Sequence, residues 1–235
     1  MPEISKTADQ VLAVLEAVAE LGPVTPTELA RRLRMHRTVV HRSLATLHRR
    51  GFVRRGAEGY VPGVANLRIG QRVEPHLLAA ARPVLERLAH DHGETFLLSV
   101  PDGGDAVQVD QAVGSRHFVS VQIARGFRHP LARGASGRAI LASLGEDEVE
   151  RALARAEDAG ALRRQLVEIR RLGYAVSHDE LSASVHGLSV PVKARGTVVA
   201  SLGVVLPSVR AAQLLDLVSV MKRAAAAIGQ GFARA

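Results

Sequence analysis

Several residue types are missing from this sequence or nearly so, and each gap excludes a class of protein. Cysteine and tryptophan are absent, and Phe, Trp and Tyr together make up only 3% of the residues. Without cysteine there is no disulfide scaffold, thiolate zinc site, iron–sulfur cluster or cysteine nucleophile. No apolar run approaches the roughly 18 residues that cross a bilayer, and the polar N-terminus lacks the apolar stretch of a secretion signal. We therefore expect a cytoplasmic protein with no membrane partner.

The rest of the composition is that of an ordinary folded chain. Of the 235 residues, 47% are hydrophobic and 23% are charged, which excludes wholesale disorder. At about 100–200 residues per domain, this length gives one large domain or two modest ones.

Positive charge is concentrated in one stretch. The net charge of +8 comes from 31 Lys and Arg against 23 Asp and Glu. Residues 31–55 contain nine arginines, three histidines and no acidic residue, whereas from Gly63 onward 21 basic side chains face 17 acidic ones. A compact positive block at one end of a mixed chain indicates a polyanion-binding module joined to a second domain.

The first sixty residues have the pattern of a winged helix-turn-helix. Apolar residues at helical spacing predict a first helix that Gly22-Pro23 ends. Thr25-Pro26-Thr27-Glu28 is a capping box that starts a short second helix. A third helix and a β-hairpin follow. The predicted helices cover residues 7–21, 26–33 and 37–50, and the hairpin strands cover 52–54 and 59–61.

The third helix carries the chemistry of DNA recognition. A helix fits the major groove, where arginine pairs with guanine, and hydroxyls and helix-terminal amides hold phosphates. Arginines on the hairpin would reach the flanking backbone or the minor groove. A solvated arginine face is the alternative, but the capped second helix, the acid-free third helix and the hairpin together favour DNA binding. The predicted DNA-binding residues are Thr27, Arg37, Thr38, His41, Arg42, Arg49, Arg54 and Arg55.

The remaining chain predicts an α+β domain around a mostly antiparallel sheet. We expect a winged helix-turn-helix domain over 1–63, a linker helix within 64–74, and an effector-binding and oligomerisation domain over 75–235. Pro83 is expected to kink or split a helix over 73–92. Strands are predicted over 96–100, 106–112, 118–124, 188–192 and 198–206, and helices over 136–144, 146–157, 161–172 and 210–232.

The order and spacing of several motifs resemble the IclR family of bacterial transcription regulators over essentially the whole chain. No single motif is specific, but their succession is. In the N-terminal half they are Glu28-Leu29-Ala30, residues 38–47 and Gly51-Phe52-Val53. In the C-terminal half they are Gly93-Glu94-Thr95, Gly126 with Pro130-Leu131, residues 136–142, residues 171–175, Glu180, Pro191-Val192 and residues 196–200.

The resemblance implies a GAF-like effector-binding domain and a homodimer or dimer of dimers on near-palindromic operator DNA. It implies a sequence-specific transcriptional regulator, for which we favour repression. Matching the family's pocket motif position by position gives Phe118, Val121, Ala135, Ser136, Ser177, Val185, Gly187, Gly203 and Val205. Plain core packing is the alternative for these nine positions.

The pocket positions depart from those of acid-binding relatives. Gly203 and Val205 stand where such relatives carry serines, so the lining is largely apolar. Polar specificity then falls to Ser136, Ser177 and the first amides of the helix over 136–144, which would cradle a carboxylate. The hypothesis is an aromatic or otherwise partly apolar effector, with a carboxylate as its polar end.

Two other functions remain open: a small-molecule enzyme with a DNA-binding appendage, and an architectural DNA-binding protein that senses nothing. No catalytic residue, metal or cofactor is predicted. His90-Asp91-His92 with Glu94 lacks the geometry of a metal site, since helical neighbours two apart do not face each other. Gly134-Ala135-Ser136-Gly137-Arg138 lacks the ending of a phosphate-binding loop. A basic cluster near the predicted pocket mouth either attracts an anion or is plain surface; it consists of Arg125, Arg128, His129 and Arg133.

Overall fold

The computed structural model describes residues 3–234 of the chain. It divides into two compact units, Met1–Pro75 and His76–Ala235. The predicted succession of a winged helix-turn-helix and an α+β domain with an antiparallel sheet is confirmed. Within the described range, no helix is both long and apolar enough to cross a membrane.

The first unit is built on three helices that share one core. Each helix has a side-chain N-cap, from Ser5, Thr25 and His36 in turn. Val14, Leu29 and their neighbours bury the apolar stripes of the helices against one another. The helices are α1 (Lys6–Leu21), α2 (Pro26–Arg32) and α3 (Arg37–Arg49).

A two-stranded wing follows α3. Strands β1 (Val53–Arg55) and β2 (Tyr60–Pro62) pair antiparallel. Val24, in the connection between α1 and α2, bonds to Tyr60 through both backbone groups, at 3.1 and 2.8 Å. Gly59 has a φ of +152°, and a Cβ there would lie 2.6 Å from the Val24 carbonyl oxygen. The wing is therefore held against the helices at a point where only glycine fits.

A short helix, α4 (Ala65–Gly70), ends the first unit. The Asn66 side-chain amide donates to the carbonyls of Phe52 and Gly63, both at 2.8 Å. The Gly63 amide donates to Phe52 as well, and the Ala65 amide donates to Gly51. The first turn of α4 is thus bonded to the turn that follows α3.

The second unit contains one six-stranded antiparallel sheet with helices on both faces. The strand order is β5-β4-β3-β8-β7-β6. The strands are β3 (Thr95–Asp102), β4 (Asp105–Ala112), β5 (Arg128–Pro130), β6 (Ala175–His178), β7 (Val185–Ala194) and β8 (Thr197–Pro207). The helices are α5 (Pro75–His92), α6 (Gly134–Leu141), α7 (Glu146–Leu153), α8 (Ala159–Leu172) and α9 (Val218–Arg234).

Alternation along the strands divides side chains between the two helical layers. On β7, Leu188 and Val190 belong to the core that includes α5 and α9. Their neighbours Gly187 and Ser189 line a cavity together with Ala135 and Ser136 of α6. Helices α6, α7 and α8 form a second apolar cluster. The sheet therefore presents an apolar face to α5 and α9, and a face with small and polar residues to α6.

Three predicted elements are wrong. Residues 118–124 form no strand; β4 pairs with β3 on one side, and on the other side it pairs with β5 at residues 105–107. The final α-helix begins at Val218 and not at Arg210, since residues 208–217 form 3-10 turns. Helix α5 is one continuous helix through the exposed Pro83, so the predicted split is wrong, whereas a kink at Pro83 stays a prediction. The short strands β5 and β6 were not predicted.

Candidate functional sites

The predicted DNA-binding residues are all exposed on the first unit. Five of them lie on α3, opposite the buried Val40, Leu44 and Leu47. Arg54 and Arg55 lie on the first wing strand. Within residues 3–75, none of the arginines forms a salt bridge. The face of α3 therefore presents unneutralised positive charge and hydrogen-bond donors to solvent, which is what binding to a polyanion requires.

The start of α3 has a cap that the sequence analysis did not find. His36 Nδ1 accepts a hydrogen bond from the Thr38 amide at 3.3 Å and lies 3.1 Å from the Thr38 hydroxyl. Histidine is not among the usual N-cap residues, so no residue pattern indicated this cap. The cap fixes the Thr38 side chain at the first turn, where a helix terminus meets DNA phosphates.

The capping box at α2 has both of its hydrogen bonds. The Thr25 hydroxyl accepts from the Glu28 amide at 3.3 Å, and the Glu28 carboxylate accepts from the Thr25 amide at 2.9 Å. The hydrogen bond from the Thr25 side chain lowers the pKa of Glu28, and the bond from the backbone acts in the same direction. Thr27, the predicted DNA contact in this turn, is exposed.

In the second unit, two adjoining cavities lie between the sheet, α6 and the loop 113–127. The inner cavity has a volume of about 30 Å³ and the outer cavity about 350 Å³. A volume of about 30 Å³ corresponds to one water molecule. Six residues line both cavities, which makes them two parts of one site: Ile123, Phe127, Ser177, Leu181, Gly187 and Val205.

Seven of the nine predicted pocket residues line these cavities: Val121, Ala135, Ser136, Ser177, Val185, Gly187 and Val205. The other two do not. Phe118 is fully exposed on the loop and lines neither cavity. Gly203 lies behind the lining, since a Cβ there would lie 2.8 Å from Leu97 Cδ1 and from Ser189 Oγ.

The inner cavity is more polar than the sequence analysis predicted. Ser99, Gln108, His129 and Ser189 are buried residues of its lining that were not predicted. Ser189 Oγ lies 3.1 Å from Ser136 Oγ. The sequence signal for these residues was a polar residue within an otherwise apolar strand, such as Ser99 in β3. That signal alone does not show that Ser99 faces the cavity, because the strand pairing decides which face of the sheet it occupies.

His129 is the one ionisable group that lines the inner cavity within the described residues. Burial lowers its pKa, and the backbone carbonyl of Pro130, 3.2 Å from Nδ1, opposes this only in part. The imidazole is therefore neutral near pH 7. With Nδ1 donating to that carbonyl, the other ring nitrogen is a hydrogen-bond acceptor.

Two of the three arginines near the cavity are paired with acids, which bears on the two alternatives of an anion-attracting cluster and plain surface. Arg125 bonds Asp110 and Arg128 bonds Asp102, each at 2.6 Å. Arg133 donates to the backbone carbonyl of Glu180. His129 is buried rather than surface-exposed. The charges of Arg125 and Arg128 are thus already offset by carboxylates.

The Glu180 side chain occupies one of the amides at the N-terminus of α6. Its carboxylate accepts from the Gly134 amide at 3.0 Å and from both terminal nitrogens of Arg138 at 2.6 Å. Burial would raise the pKa of Glu180, but the hydrogen bonds from Arg138 and Gly134 outweigh it and the pKa is lowered. Of the amides at the start of α6, those of Ala135 and Ser136 remain for a ligand.

Within residues 3–234, no group of three or more His, Cys, Asp or Glu side chains is placed to hold a metal ion. Of the considered motif His90-Asp91-His92 with Glu94, the Glu94 carboxylate is buried and paired with Arg210.

Two family models match this chain. "Bacterial transcriptional regulator IclR C-terminal" matches residues 72–230, and "IclR helix-turn-helix domain" matches residues 7–57. The HTH-type transcriptional regulator KipR of Bacillus subtilis (strain 168) is 30% identical over 205 residues, which cover 82% of this chain and 82% of the relative. The transcriptional repressor IclR of Escherichia coli (strain K12) is 30% identical over 191 residues, which cover 72% and 68%.

Among solved structures, an IclR homolog from Microbacterium hydrocarbonoxydans, complexed with 4-hydroxybenzoate, has a TM-score of 0.86. It is 24% identical, and the match covers 98% of this chain and 100% of that chain. The likeness extends to the whole fold of the chain.

Proposed function

The chain belongs to the IclR family of bacterial transcription regulators, and we propose that a small molecule in the two-part cavity controls its binding to an operator. It is a DNA-binding regulator and not an enzyme. The observation that carries the proposal is that one chain holds both an unneutralised arginine face on α3 and a largely apolar cavity with buried serine, glutamine and histidine side chains in its inner part.

The proposed DNA contacts are the eight exposed residues of α2, α3 and the wing. Arg37, Thr38, His41 and Arg42 lie in the N-terminal half of α3, the part of a recognition helix that meets base edges. Arg49, at the other end of α3, and Arg54 and Arg55, on the wing, hold backbone phosphates.

The proposed effector is an aromatic or otherwise partly apolar carboxylate. Val121, Ile123, Phe127, Val185 and Val205 give the outer cavity an apolar lining that suits a ring or a short hydrocarbon body. The polar end meets the amides of Ala135 and Ser136 at the start of α6, where the helix dipole favours an anion. The ligand named for the Microbacterium hydrocarbonoxydans homolog, 4-hydroxybenzoate, belongs to this chemical class.

The hydroxyls of Ser136 and Ser177 add neutral donors to the proposed carboxylate site. Within residues 3–234, no arginine lines either cavity, and the nearby Arg125, Arg128 and Arg138 are paired with acids. Recognition by amides and hydroxyls alone gives directionality without a buried ion pair, whose desolvation is costly.

The proposed mode of action is repression by a homodimer or a dimer of dimers on a near-palindromic operator in the cytoplasm. Two curated relatives are named repressors, the transcriptional repressor IclR and the acetate operon repressor. A two-fold protein matches a two-fold operator because each recognition helix then reads one half-site.

Fluorescence anisotropy of a labelled duplex from the chain's own upstream region tests the proposal, with benzoate, 4-hydroxybenzoate and pyruvate each added in turn. We expect specific binding that at least one aromatic acid changes and that pyruvate does not. Calorimetric titration of the same acids without DNA measures binding to the cavity directly. Tight pyruvate binding with no benzoate binding would overturn the proposed effector class.

The same experiment separates the two other functions. Binding to DNA that responds to no metabolite, with no calorimetric signal, would support an architectural protein. Chemical turnover of an added acid, followed by chromatography, would support an enzyme.

A further inference from the structure

The loop of residues 113–127, here called the cavity loop, connects β4 to β5 without regular secondary structure. It contributes Val121, Ile123 and Phe127 to the outer cavity. The last residues of the loop are held by backbone hydrogen bonds to β4, from Gly126 to the Gln108 carbonyl at 2.7 Å and from Gln108 to the Phe127 carbonyl at 2.9 Å, and side-chain contacts hold much of the rest. Two separate sets of contacts fix it, one near each end.

The first set, the Asp110 cluster, holds the part of the loop that lines the cavity. Asp110 is buried and accepts from Arg125 at 2.6 Å. Gln108 donates to the Ile123 carbonyl at 2.7 Å, and Gln111 accepts from the Ile123 amide at 3.2 Å. These partners of the loop come from β4, and Arg82, in the middle of α5, also meets Asp110 at 3.5 Å and donates to the Gln111 carbonyl at 2.9 Å. This cluster therefore ties the loop to the sheet and, through the sheet, to the middle of α5 but not to its last turn.

The second set, the Glu94 cluster, holds the first half of the loop. Glu94 is buried and forms two hydrogen bonds with Arg210, which follows β8. Arg210 also donates to the Val119 carbonyl at 3.0 Å, and His117 Nε2 lies 3.5 Å from the Glu94 carboxylate. Glu94 comes two residues after the end of α5, so this cluster joins the loop to that helix end.

The loop and the end of α5 are also in close backbone contact. The Gly114 amide donates to the Glu94 carbonyl at 3.1 Å, and Arg116 donates to the Asp91 carbonyl at 2.6 Å. A Cβ at Gly114 would lie 2.1 Å from the Gly93 carbonyl carbon. The loop backbone is thus packed directly against Gly93 at Gly114 and bonded to the end of α5 at Arg116, so we expect a shift of these residues to displace the last turn of α5.

We propose that Arg210 is a positioning residue that transmits occupancy of the cavity to α5. Arg210 touches no cavity, but it bonds both the loop that lines the outer cavity and the residue that follows α5. At its other end, α5 continues through residues 71–74 into α4. The inference rests on the proposed function, since it requires that a ligand contact residues 121–127.

The chemistry of the pair explains why it would transmit a shift. A carboxylate buried at 3% exposure is stable only while it is paired. When the loop moves and carries the Val119 carbonyl away, Arg210 loses one of its three hydrogen bonds. Its guanidinium then shifts, and the two hydrogen bonds to the Glu94 carboxylate are weakened. The loop and the last turn of α5 therefore move together between two arrangements, one with the Glu94–Arg210 pair intact and one with it weakened.

Hydrogen exchange with mass spectrometry on the full chain tests this without any ligand, using Arg210→Ala and Arg125→Ala. For Arg210→Ala we expect exchange to rise about tenfold in residues 114–119 and also in 89–94, with 122–127 unchanged. For Arg125→Ala we expect the rise in 122–127 alone. Arg171→Ala, which removes an exposed pair with Glu168 on α8, is the matched control and should change neither segment.

Two outcomes would overturn the proposal. One is an Arg210→Ala protein with faster exchange in the loop but an unchanged 89–94 segment. The other is the same exchange pattern from Arg210→Ala and Arg125→Ala, which indicates general destabilisation. If Arg210→Ala does not fold, Glu94→Gln and Arg210→Lys give the same comparison. Arg210→Lys, which keeps the charge, should restore protection in part.

Adding 4-hydroxybenzoate or benzoate then distinguishes this proposal from the proposed function. In the wild type we expect a bound acid to slow exchange in both 121–127 and 89–94, and in Arg210→Ala only in 121–127. Slowing of both segments in Arg210→Ala would overturn the role of Arg210. If neither acid protects 121–127 in the wild type, the proposed effector class fails, while the ligand-free comparison still decides the role of the pair.

Discussion

Thr25 and Glu28 each accept a hydrogen bond from the other's backbone amide, at 2.9 and 3.3 Å. The pair closes the first turn of α2, a helix of seven residues. A helix this short has little stability of its own. Its orientation against α3 therefore depends on the cap and on the buried side chains of Leu29 and Ala30.

Replacing Thr25 with alanine should destabilise the protein. We expect the free energy of unfolding to fall by about 0.5–2 kcal/mol, since the amide of Glu28 loses its partner. Urea denaturation followed by circular dichroism measures the change. Thr27→Ala is the matched control, because Thr27 lies in the same turn but is exposed; it should change stability by less than about 0.5 kcal/mol and weaken operator binding. Equal loss of stability in both variants would contradict the assigned role of the cap.

Arg42 lies on the exposed face of α3, and Arg42→Ala should weaken operator binding. If the guanidinium pairs with a base, the specific complex loses about 1–3 kcal/mol. If it holds a phosphate, binding weakens for all sequences and the salt slope falls by about one. Anisotropy titrations at several salt concentrations on specific and scrambled duplexes separate these cases. Arg163→Ala, on the second unit, controls for net charge. Unchanged binding at every salt concentration would remove Arg42 from the interface.

Gly187 lines both cavities, and Gly187→Val should fill part of the site. A Cβ at Gly187 would lie 3.0 Å from the Ser177 hydroxyl and 3.7 Å from Ala135 Cβ. The further methyl groups of valine occupy space that the ligand needs, so we expect affinity for benzoate or 4-hydroxybenzoate to fall at least about tenfold, or 1.4 kcal/mol. Operator binding without ligand should be retained.

Phe118→Ala is the counterpart to Gly187→Val, because Phe118 is exposed and lines neither cavity. Calorimetric titration should give the wild-type affinity for the same acids. Loss of affinity in Phe118→Ala with retention in Gly187→Val would place the ligand outside the cavities.

Burial of His129 should make stability depend on pH. Its folded pKa lies below the unfolded value of about 6.5, so the unfolded chain binds more protons between the two values. The contribution of neutral His129 is therefore complete above about pH 6.5 and is lost as the pH falls through the folded pKa. Urea denaturation at pH 7.5 and 5.5 should show a smaller loss of stability in His129→Gln than in the wild type. An identical loss in both proteins would contradict this.

The first unit was predictable because its signals are local. Helical spacing, the Thr25 capping box and the Gly51 stop lie within a few residues of the structures they determine, and the exposed face of α3 follows from its period alone. The same locality misled the prediction for residues 118–124. Their apolar, β-branched pattern fits a strand, but β4 meets Ile123 of this segment through the side chains of Gln108 and Gln111 and not through a backbone ladder.

The cavity was predictable only in part, for the same reason. Residues of α6 and β7 were placed through the family motif, whereas Ser99 and Gln108 reach the cavity through the register of β3 and β4. The pairing of the arginines was also hidden, since Arg125 meets Asp110 from 15 positions away and Arg138 meets Glu180 from 42. Such contacts arise from the fold and leave no spacing pattern in the sequence.

The bonds of Asn66 to Phe52 and Gly63 have a mechanical consequence. They bond α4 to the turn that follows α3, so we expect a rotation of α4 to rotate α3 and its exposed face by the same angle. Helix α3 has 13 residues and is about 20 Å long at 1.5 Å per residue. A swing of about 10° about one end carries the other end roughly 3.5 Å, the spacing of one base-pair step. In the proposed complex with an operator, a rotation of this size would bring an arginine of α3 opposite the neighbouring base pair.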